Sequence, residues 1–278
     1  MTSAKAFAPG NISCIFKIYK HKNPRFMGSY GVGFTVNEGV VVDVAKSDKT
    51  EIIFNNKKID FPTVVSVVYA LTNQKVNVTI TSKLPIGCGF GVSGASALAS
   101  AYALNKLLQL KKTKKQMAII AHTAEAKNKT GLGDVVNQYF GGFLFKKKPS
   151  SYFSVVKIPV KEKYVYCRVF SPLSTKEVLS DVLLLNKVEK AAAEALQQIV
   201  NVLQKKNDLV LQDIFSISKK FVMDAGLLKN AEVIKTIEKI EKEGGAASMI
   251  ILGNAVMSTI PFPGATKYEI SDRRATLL

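Results

Sequence analysis

Lys83-Leu-Pro-Ile-Gly-Cys-Gly-Phe-Gly-Val-Ser-Gly-Ala-Ser-Ala-Leu98 is the stretch around which the rest of the chain can be ordered. Before it, Lys75 to Ser82 (KVNVTITS) alternates apolar and polar residues, the period of a half-buried strand. After it, Ala95 to Leu110 is rich in Ala and Leu, which predicts a buried helix. A glycine-rich loop between a strand and a helix is a place to hold an anion. Gly87, Gly89 and Gly91 lack Cβ and tolerate positive φ, so successive backbone N–H groups can converge on one point. The helix that follows adds its unpaired N–H groups and its dipole. Ser93, at the helix mouth, offers a hydroxyl to a phosphate or to Mg²⁺. Gly94 and Ala95 are small enough to let a phosphate approach. A plain glycine turn before a buried helix would use similar residues, but three glycines within Gly87–Gly91, a serine and no nearby acid favour phosphate binding.

Two familiar phosphate loops do not fit. A Walker A loop needs Gly-Lys-Ser/Thr at the helix mouth, and the dipeptide Gly-Lys occurs nowhere in this chain. Gly89 to Gly94 matches G-x-G-x-x-G, but a dinucleotide site needs an acid about 20 residues on. The next acid is Glu125. No Asp or Glu occurs from Phe61 to Ala124, so the loop sits in a stretch whose field favours anions.

Towards the N-terminus, Asn11 to Tyr19 reads as a strand. Gly33 to Val44 reads as a hairpin turning at Asn37-Glu38-Gly39, and Glu51 to Phe61 as another turning at Asn55-Asn56. Pro62 to Leu71 reads as a short helix. Towards the C-terminus, Thr113 and Gln116 form a capping-box signature for a helix to about Lys127. Lys129 to Gly133 is a loop, and Asp134 to Phe140 one or two helical turns stopped by Gly141-Gly142. The run Lys146 to Ser151 is the expected boundary between an N-terminal lobe that bears the glycine loop, 1–148, and a C-terminal lobe, 149–278. Beyond it the pattern predicts strands at Val155–Ile158, Lys163–Phe170 and Ala255–Ile260. Helices are predicted at Lys187–Lys206, Asp208–Asp224 and Asn230–Glu243. The expected class is α+β in two lobes.

The chain has 278 residues, 47% hydrophobic and 22% charged, a globular rather than a disordered composition. No apolar run approaches the roughly 18 residues of a membrane span, and Met1 to Gly10 lacks a signal-peptide core. Cys14, Cys88 and Cys167, odd in number and sparse, suit a reducing compartment. A cytoplasmic protein without a membrane partner is expected. Lys+Arg 39 against Asp+Glu 21 leaves +18. Such an excess can mark a nucleic-acid binder. Here it is nearly all Lys, in short runs such as Lys111-Lys112, Lys114-Lys115, Lys146–Lys148 and Lys205-Lys206. Arg stands only at 25, 168, 273 and 274. Nucleic-acid sites favour Arg and interleaved aromatics, so a solvated lysine surface is the preferred reading and nucleic acid is not an expected partner. Two histidines, His21 and His122, and no Cys-x-x-Cys leave a zinc site unsupported.

Pro85, Gly89, Gly91, Ser93 and Ala95, as P-x₃-G-x-G-x-S-x-A, resemble the ATP-binding loop of the GHMP kinases. Ala8-Pro9-Gly10 resembles the superfamily's N-terminal A-P-G. Ala124-Glu125, Thr130-Gly131-Leu132-Gly133-Asp134 and Gly141-Gly142 resemble its E…(S/T)G-x-x-D…GG block. Within the superfamily, GSYGVGF from Gly28, GCGFGVSGA, TGLGDV, STKEVL from Ser174 and MIILG from Met249 are similar to the archaeal pantoate kinases. The resemblance implies an N-terminal lobe like a ribosomal S5 domain and a ferredoxin-like C-terminal lobe. It also implies transfer of the ATP γ-phosphoryl to the 4-hydroxyl of (R)-pantoate, a step toward coenzyme A. Other alcohols, mevalonate or homoserine, and a basic S5-like RNA-binding role are the alternatives. The chain departs from the pattern at Asn11, where the superfamily often has Lys, at Val92 for the first serine of its loop, and in the reduced glycine motif Gly244 to Ser248.

On that resemblance Pro85, Gly87, Gly89, Gly91, Val92, Ser93, Gly94 and Ala95 hold ATP, while Ser93 and Glu125 hold Mg²⁺. A surface pair of Glu125 with Lys129 is the plainer alternative. Asp134 is the candidate base for the acceptor hydroxyl, or else a helix N-cap. The acceptor's carboxylate calls for donors: Ser29 with the backbone at Gly31 and Gly33, and Arg25 or Arg168 as a bidentate clamp. His122 shares the helix face of Glu125 and completes the candidates. The expected partners are a small hydroxy acid and a second copy of the chain.

Overall fold

Two very long strands, β1 (Ser3–Tyr19) and β2 (Gly28–Lys46), run antiparallel in register from Ser3 opposite Ala45 to Tyr19 opposite Gly28. The computed structural model describes residues 2–173, 175–205 and 210–278. The motif residue Ser174, and the expected helix limits at Lys206 and Asp208, lie outside the described residues. Alternating Val and Ala side chains of β1 and β2 are buried on one face, the period that selects strand over helix. The hairpin expected at Asn37-Glu38-Gly39 is not formed. These residues lie inside β2, where the register skips between Pro9 and Asn11 of the partner strand. Gly39 there answers a close approach rather than a turn, since a Cβ would stand 2.2 Å from Ala8 O.

β3 (Glu51–Phe54) and β4 (Lys57–Lys58) form the second expected hairpin, with Asn55 and Asn56 at positive φ. α1 (Pro62–Leu71), β5 (Val76–Ser82) and α2 (Val92–Leu107) follow. Next come α3 (Lys114–Asn128), opened by the Thr113/Gln116 capping box, then α4 (Asp134–Phe140) and β6 (Phe143–Lys146). β7 (Val156–Lys157) pairs with β6, so the expected boundary at 146–151 lies between two strands of one sheet.

β8 (Tyr164–Ser171), the short α5 (Thr175–Val178), α6 (Val182–Lys205), α7 (Leu211–Asp224) and α8 (Ala231–Lys242) lead into β9 (Ala247–Met249), β10 (Asn254–Ser258) and β11 (Thr266–Glu269). The chain ends in β12 (Thr276–Leu277), which returns to β1. The first sheet runs β12-β1-β2-β5-β3-β4, with β6 on the first half of β2. The second runs β11-β8-β10-β9. α2 is buried almost all round between the first sheet and α1, α3 and α4, which is why Ala and Ser dominate it. Ser218 of α7 ties the two parts together, its hydroxyl donating to Cys14 O at 2.7 Å and meeting Ser248 Oγ at 2.9 Å. All three cysteines are buried and form no disulfide. No helix among the described residues is long and apolar enough to cross a membrane.

Candidate active site

The loop between β5 and α2 takes up the conformation that its glycines allow. Gly87, Gly89 and Gly91 have φ of +74°, +83° and +61°. Gly91 caps α2, so the first N–H groups of the helix open onto the loop. From the other side the β9–β10 turn presses close: a Cβ on Gly89 would meet Ile250 Cγ2 at 2.5 Å and Ile251 O at 2.7 Å. That turn, not the Gly244-Gly245 pair at the end of α8, is what lies on the loop. A cavity of about 300 Å³ opens beside it. Gly87, Gly89, Gly91, Val92 and Ser93 line it, with Ser29, Asp134, Lys146 and, from the α5 region, Thr175 and Lys176. Pro85, Gly94 and Ala95 do not line it. Gly94 lies beneath, with room for a Cβ only 2.9 Å from Glu125 Oε2.

Glu125 is on α3, 1% exposed, and makes no surface pair. Lys129, four residues on, closes the helix at φ +55° and reaches Ser180 Oγ instead, at 3.3 Å. Thr130 donates to Glu125 Oε1 at 2.9 Å, while Glu125 Oε2 is buried without a partner, as is Ser93 Oγ. Burial first, and then the Asp134 charge, hold the Glu125 carboxyl up at about 8. Asp134 is the first residue of α4. Gly133 occupies the cap position, so the N-cap role does not describe Asp134. Its carboxylate instead accepts from Asn11 Nδ2 at 2.6 Å. Enclosure raises its pKa, against the pull of that amide and of Lys146. Asp134 Oδ2 and Glu125 Oε2 converge on Gly131, where a Cβ would stand 2.9 Å and 2.3 Å from them.

Ser93 Oγ and Glu125 Oε2 are hard oxygen donors, the kind Mg²⁺ prefers. Mg²⁺ takes one or two carboxylates and draws its other ligands from water and phosphate. Among the described residues no three His, Cys, Asp or Glu form a metal cage. The donor set fits an ion that arrives with a nucleotide.

Lys146 belongs to this site, although the sequence placed it in a solvated lysine run. Lys147 and Lys148 are exposed, but Lys146 is 3% exposed at the end of β6. Burial brings its ammonium down to about 8, against the opposing pull of Asp134. Lys146 Nζ donates to Asn137 Oδ1 at 3.0 Å, and Asn137 Nδ2 donates to Asn11 Oδ1 at 2.8 Å. A cation thus reaches the site from β6, although position 11 carries none. All four residues of Phe143–Lys146 are buried, and this run has no polar alternation that would have marked Lys146 from the sequence. Asn137, one turn after Asp134, shares its helix face. Ser29 is buried beside Lys146: a Cβ on Gly133 would stand 2.5 Å from Ser29 Oγ and 3.4 Å from Lys146 Nζ.

The other acceptor candidates lie elsewhere. Arg25 is exposed on the Pro24–Phe26 turn, its guanidinium 5.7 Å from the Phe26 ring centroid. Arg168, on β8, donates to Pro263 O at 3.2 Å and lies over Phe170. His122 is buried, and its Nε2–H donates to Met27 O at 2.8 Å beside Phe153. Burial lowers its pKa. None of the three lines the cavity.

Residues 62–142 match the family described as "GHMP kinases N terminal domain". The pantoate kinase of Methanocaldococcus jannaschii is 32% identical over 255 residues, 90% of this chain and 90% of that protein. The pantoate kinase of Methanospirillum hungatei is 31% identical over 266 residues, 93% of this chain and 88% of that protein. A solved structure titled "Phosphotransferase related to CoA biosynthesis pathway" superposes with a TM-score of 0.84 at 24% identity, covering 99% of this chain and 98% of that one. With about nine-tenths of the chain matched at 31–32% identity and the fold matched across both sheets, the chain belongs to the GHMP kinase superfamily and stands there with the pantoate kinases.

Proposed function

We propose that the chain transfers the γ-phosphoryl group of ATP to the 4-hydroxyl of (R)-pantoate, a step toward coenzyme A. The observation that carries this reading is a single cavity holding the positive-φ glycine loop, the Asp134 carboxylate and the buried Lys146 ammonium. Phosphoryl transfer asks chiefly for positioning and for neutralisation of spreading negative charge. The loop N–H groups and the α2 N-terminus bind the phosphates. Ser93 and Glu125 would hold Mg²⁺, which when bound neutralises phosphate charge. Asp134 Oδ2 orients the acceptor hydroxyl and takes its proton. Ser29 and Lys146 offer donors to the anionic groups that meet beside Asp134. Two anions brought together at about 4 Å repel by roughly 4 kcal/mol at intermediate dielectric, so an acidic acceptor requires such cations. In this reading Ser29 keeps the part that the sequence gave it, and Lys146 takes the part assigned to Arg25, Arg168 and His122. A homodimer remains part of the proposal, to be tested by sedimentation.

The test is ADP release with Mg-ATP and pantoate, mevalonate, homoserine or galactose at matched concentrations. Pantoate is expected to give the highest kcat/KM. Mevalonate, homoserine or galactose above pantoate would overturn the acceptor and leave the kinase. No turnover with any of the four would overturn both.

A further inference from the structure

The cation and the carboxylate of the site attract one another but do not touch. Lys146 gives its hydrogen bond to Asn137 Oδ1, and Asp134 takes its own from Asn11 Nδ2. The gap is bridged by the contact from Asn137 Nδ2 to Asn11 Oδ1. The direction of this chain is fixed at both ends. An ammonium only donates and an ionised carboxylate only accepts, so each amide can point only one way. Both asparagines are fully buried. Both are also anchored by the backbone: Asn11 N donates to Phe90 O in the glycine loop at 2.9 Å, and Asn137 lies against Gly33, where a Cβ would stand 2.9 Å from its Nδ2. A direct ion pair is the obvious alternative for two opposite charges in one cavity. It would occupy the Lys146 donors and Asp134 oxygens that a phosphoryl group and an acceptor hydroxyl need.

We propose that Asn11 and Asn137 are positioning residues that act as a spacer, holding Lys146 and Asp134 apart so that both face the reacting groups. The proposal rests on the reading of Asp134 and Lys146 given above. The amide pair leaves Lys146 with two N–H donors and Asp134 with Oδ2, and turns these toward the cavity. Because Asn11 is also bonded to the glycine loop, the spacer sets the distance between the nucleotide loop and the acceptor groups. Position 11 therefore serves the site through an amide, with the cation supplied by β6.

Two measurements test the spacer. In a crystal structure of unliganded Asn137→Leu, Lys146 Nζ is expected to swing into direct contact with the Asp134 carboxylate, at about 2.8 Å. Lys146 retaining its parental position would overturn the proposal. In kinetics with Mg-ATP and pantoate, Asn137→Leu is expected to lose at least about tenfold in kcat, with KM for ATP changed less than about threefold, the pattern of a lost transition-state interaction. Added to Lys146→Met, it is expected to cost little more, since it acts through that lysine. Equal losses in both backgrounds would mark Asn137 as a plain packing residue and sink the idea. Asn137→Asp keeps the shape and the acceptor for Lys146 should the leucine variant fail to fold. It sets a carboxylate against Asn11 Oδ1, and its kcat should fall while Lys146 stays in place; an unchanged kcat counts against the spacer. If the parent turns over no acceptor at all, the functional reading fails, and the crystal structure still decides the spacer.

Discussion

Asp134 and Glu125 are two enclosed carboxylates given different work by their neighbours. Asp134, held by Asn11 and faced by Lys146, takes the acceptor's proton in the proposed function. Asp134→Asn is expected to lower kcat by about 10² to 10⁴, the usual worth of a general base, with ATP affinity nearly unchanged by calorimetry. A loss under about fivefold would leave Asp134 only an orienting role. Glu125, with one oxygen unpartnered, is costly to bury. Between its ordinary 4.5 and about 8 the unfolded chain sheds a proton that the folded chain keeps, so this group makes stability fall as pH rises through that window. Glu125→Gln should therefore melt higher than the parent at pH 8, by about 2–4 °C per kcal/mol recovered, and the difference should vanish near pH 4. The same variant should lose its Mg²⁺-dependent turnover. A variant that melts no higher at pH 8 would show that the carboxyl is not strained by burial.

At the scale of elements, the strand–loop–helix unit from β5 to α2 carries the proposed nucleotide site. Its weak point to substitution is Gly91. A side chain there would adopt φ +61° and meet Gln138 Nε2 at 3.0 Å, Asn11 Cβ at 3.1 Å and Asp134 Cγ at 3.2 Å. A β-branched residue in the left-handed region costs about 1–2 kcal/mol or more, which a chain of this size can absorb. Gly91→Val should stay folded by circular dichroism and bind ATP at least about tenfold more weakly, a loss of about 1.4 kcal/mol. Unchanged ATP affinity in the folded variant would move the nucleotide elsewhere. The helices were legible because their signals are local. Pro62 opens α1, the Thr113/Gln116 box opens α3, Asn230 caps α8 and Gly141 stops α4. β2 was misread because Asn37-Glu38-Gly39 is turn chemistry by composition, yet here it forms a bulge opposite Gly10.

For the whole molecule, the C-terminal segment straps the first sheet to the site. Thr35 Oγ1 donates to Ser271 O at 2.6 Å, Gly142 N donates to the same oxygen at 3.0 Å, and Ala275 N donates to Gln138 O at 3.0 Å. Gln138 in turn donates through Nε2 to Gly91 O at 2.8 Å. Deleting residues 271–278 removes these bonds and the β12 pairing, each bond worth about 0.5–1.5 kcal/mol. The shortened chain should melt on the order of 5–10 °C lower and bind ATP more weakly. A midpoint equal to that of the full chain would show the strap to be inert.

The sequence by itself pointed to the glycine loop, the acid at 125 and the acid at 134, which the fold brings to one place. Loop glycines, a helix mouth and a Gly-x-Gly-Asp turn are contiguous, and their chemistry follows from adjacent residues. Only the tertiary structure decided what surrounds them. Lys146 looks like one of three surface lysines until β6 pairs with β2 and carries it inward. Arg25, Arg168 and His122 look like anion ligands until the fold directs them to a surface turn, the second sheet and a backbone carbonyl. The Asn11–Asn137 contact joins residues 126 positions apart. Such pairings depend on strand register and helix packing, which no local pattern encodes, and so the charges that complete the site become visible only when the sheets are assembled.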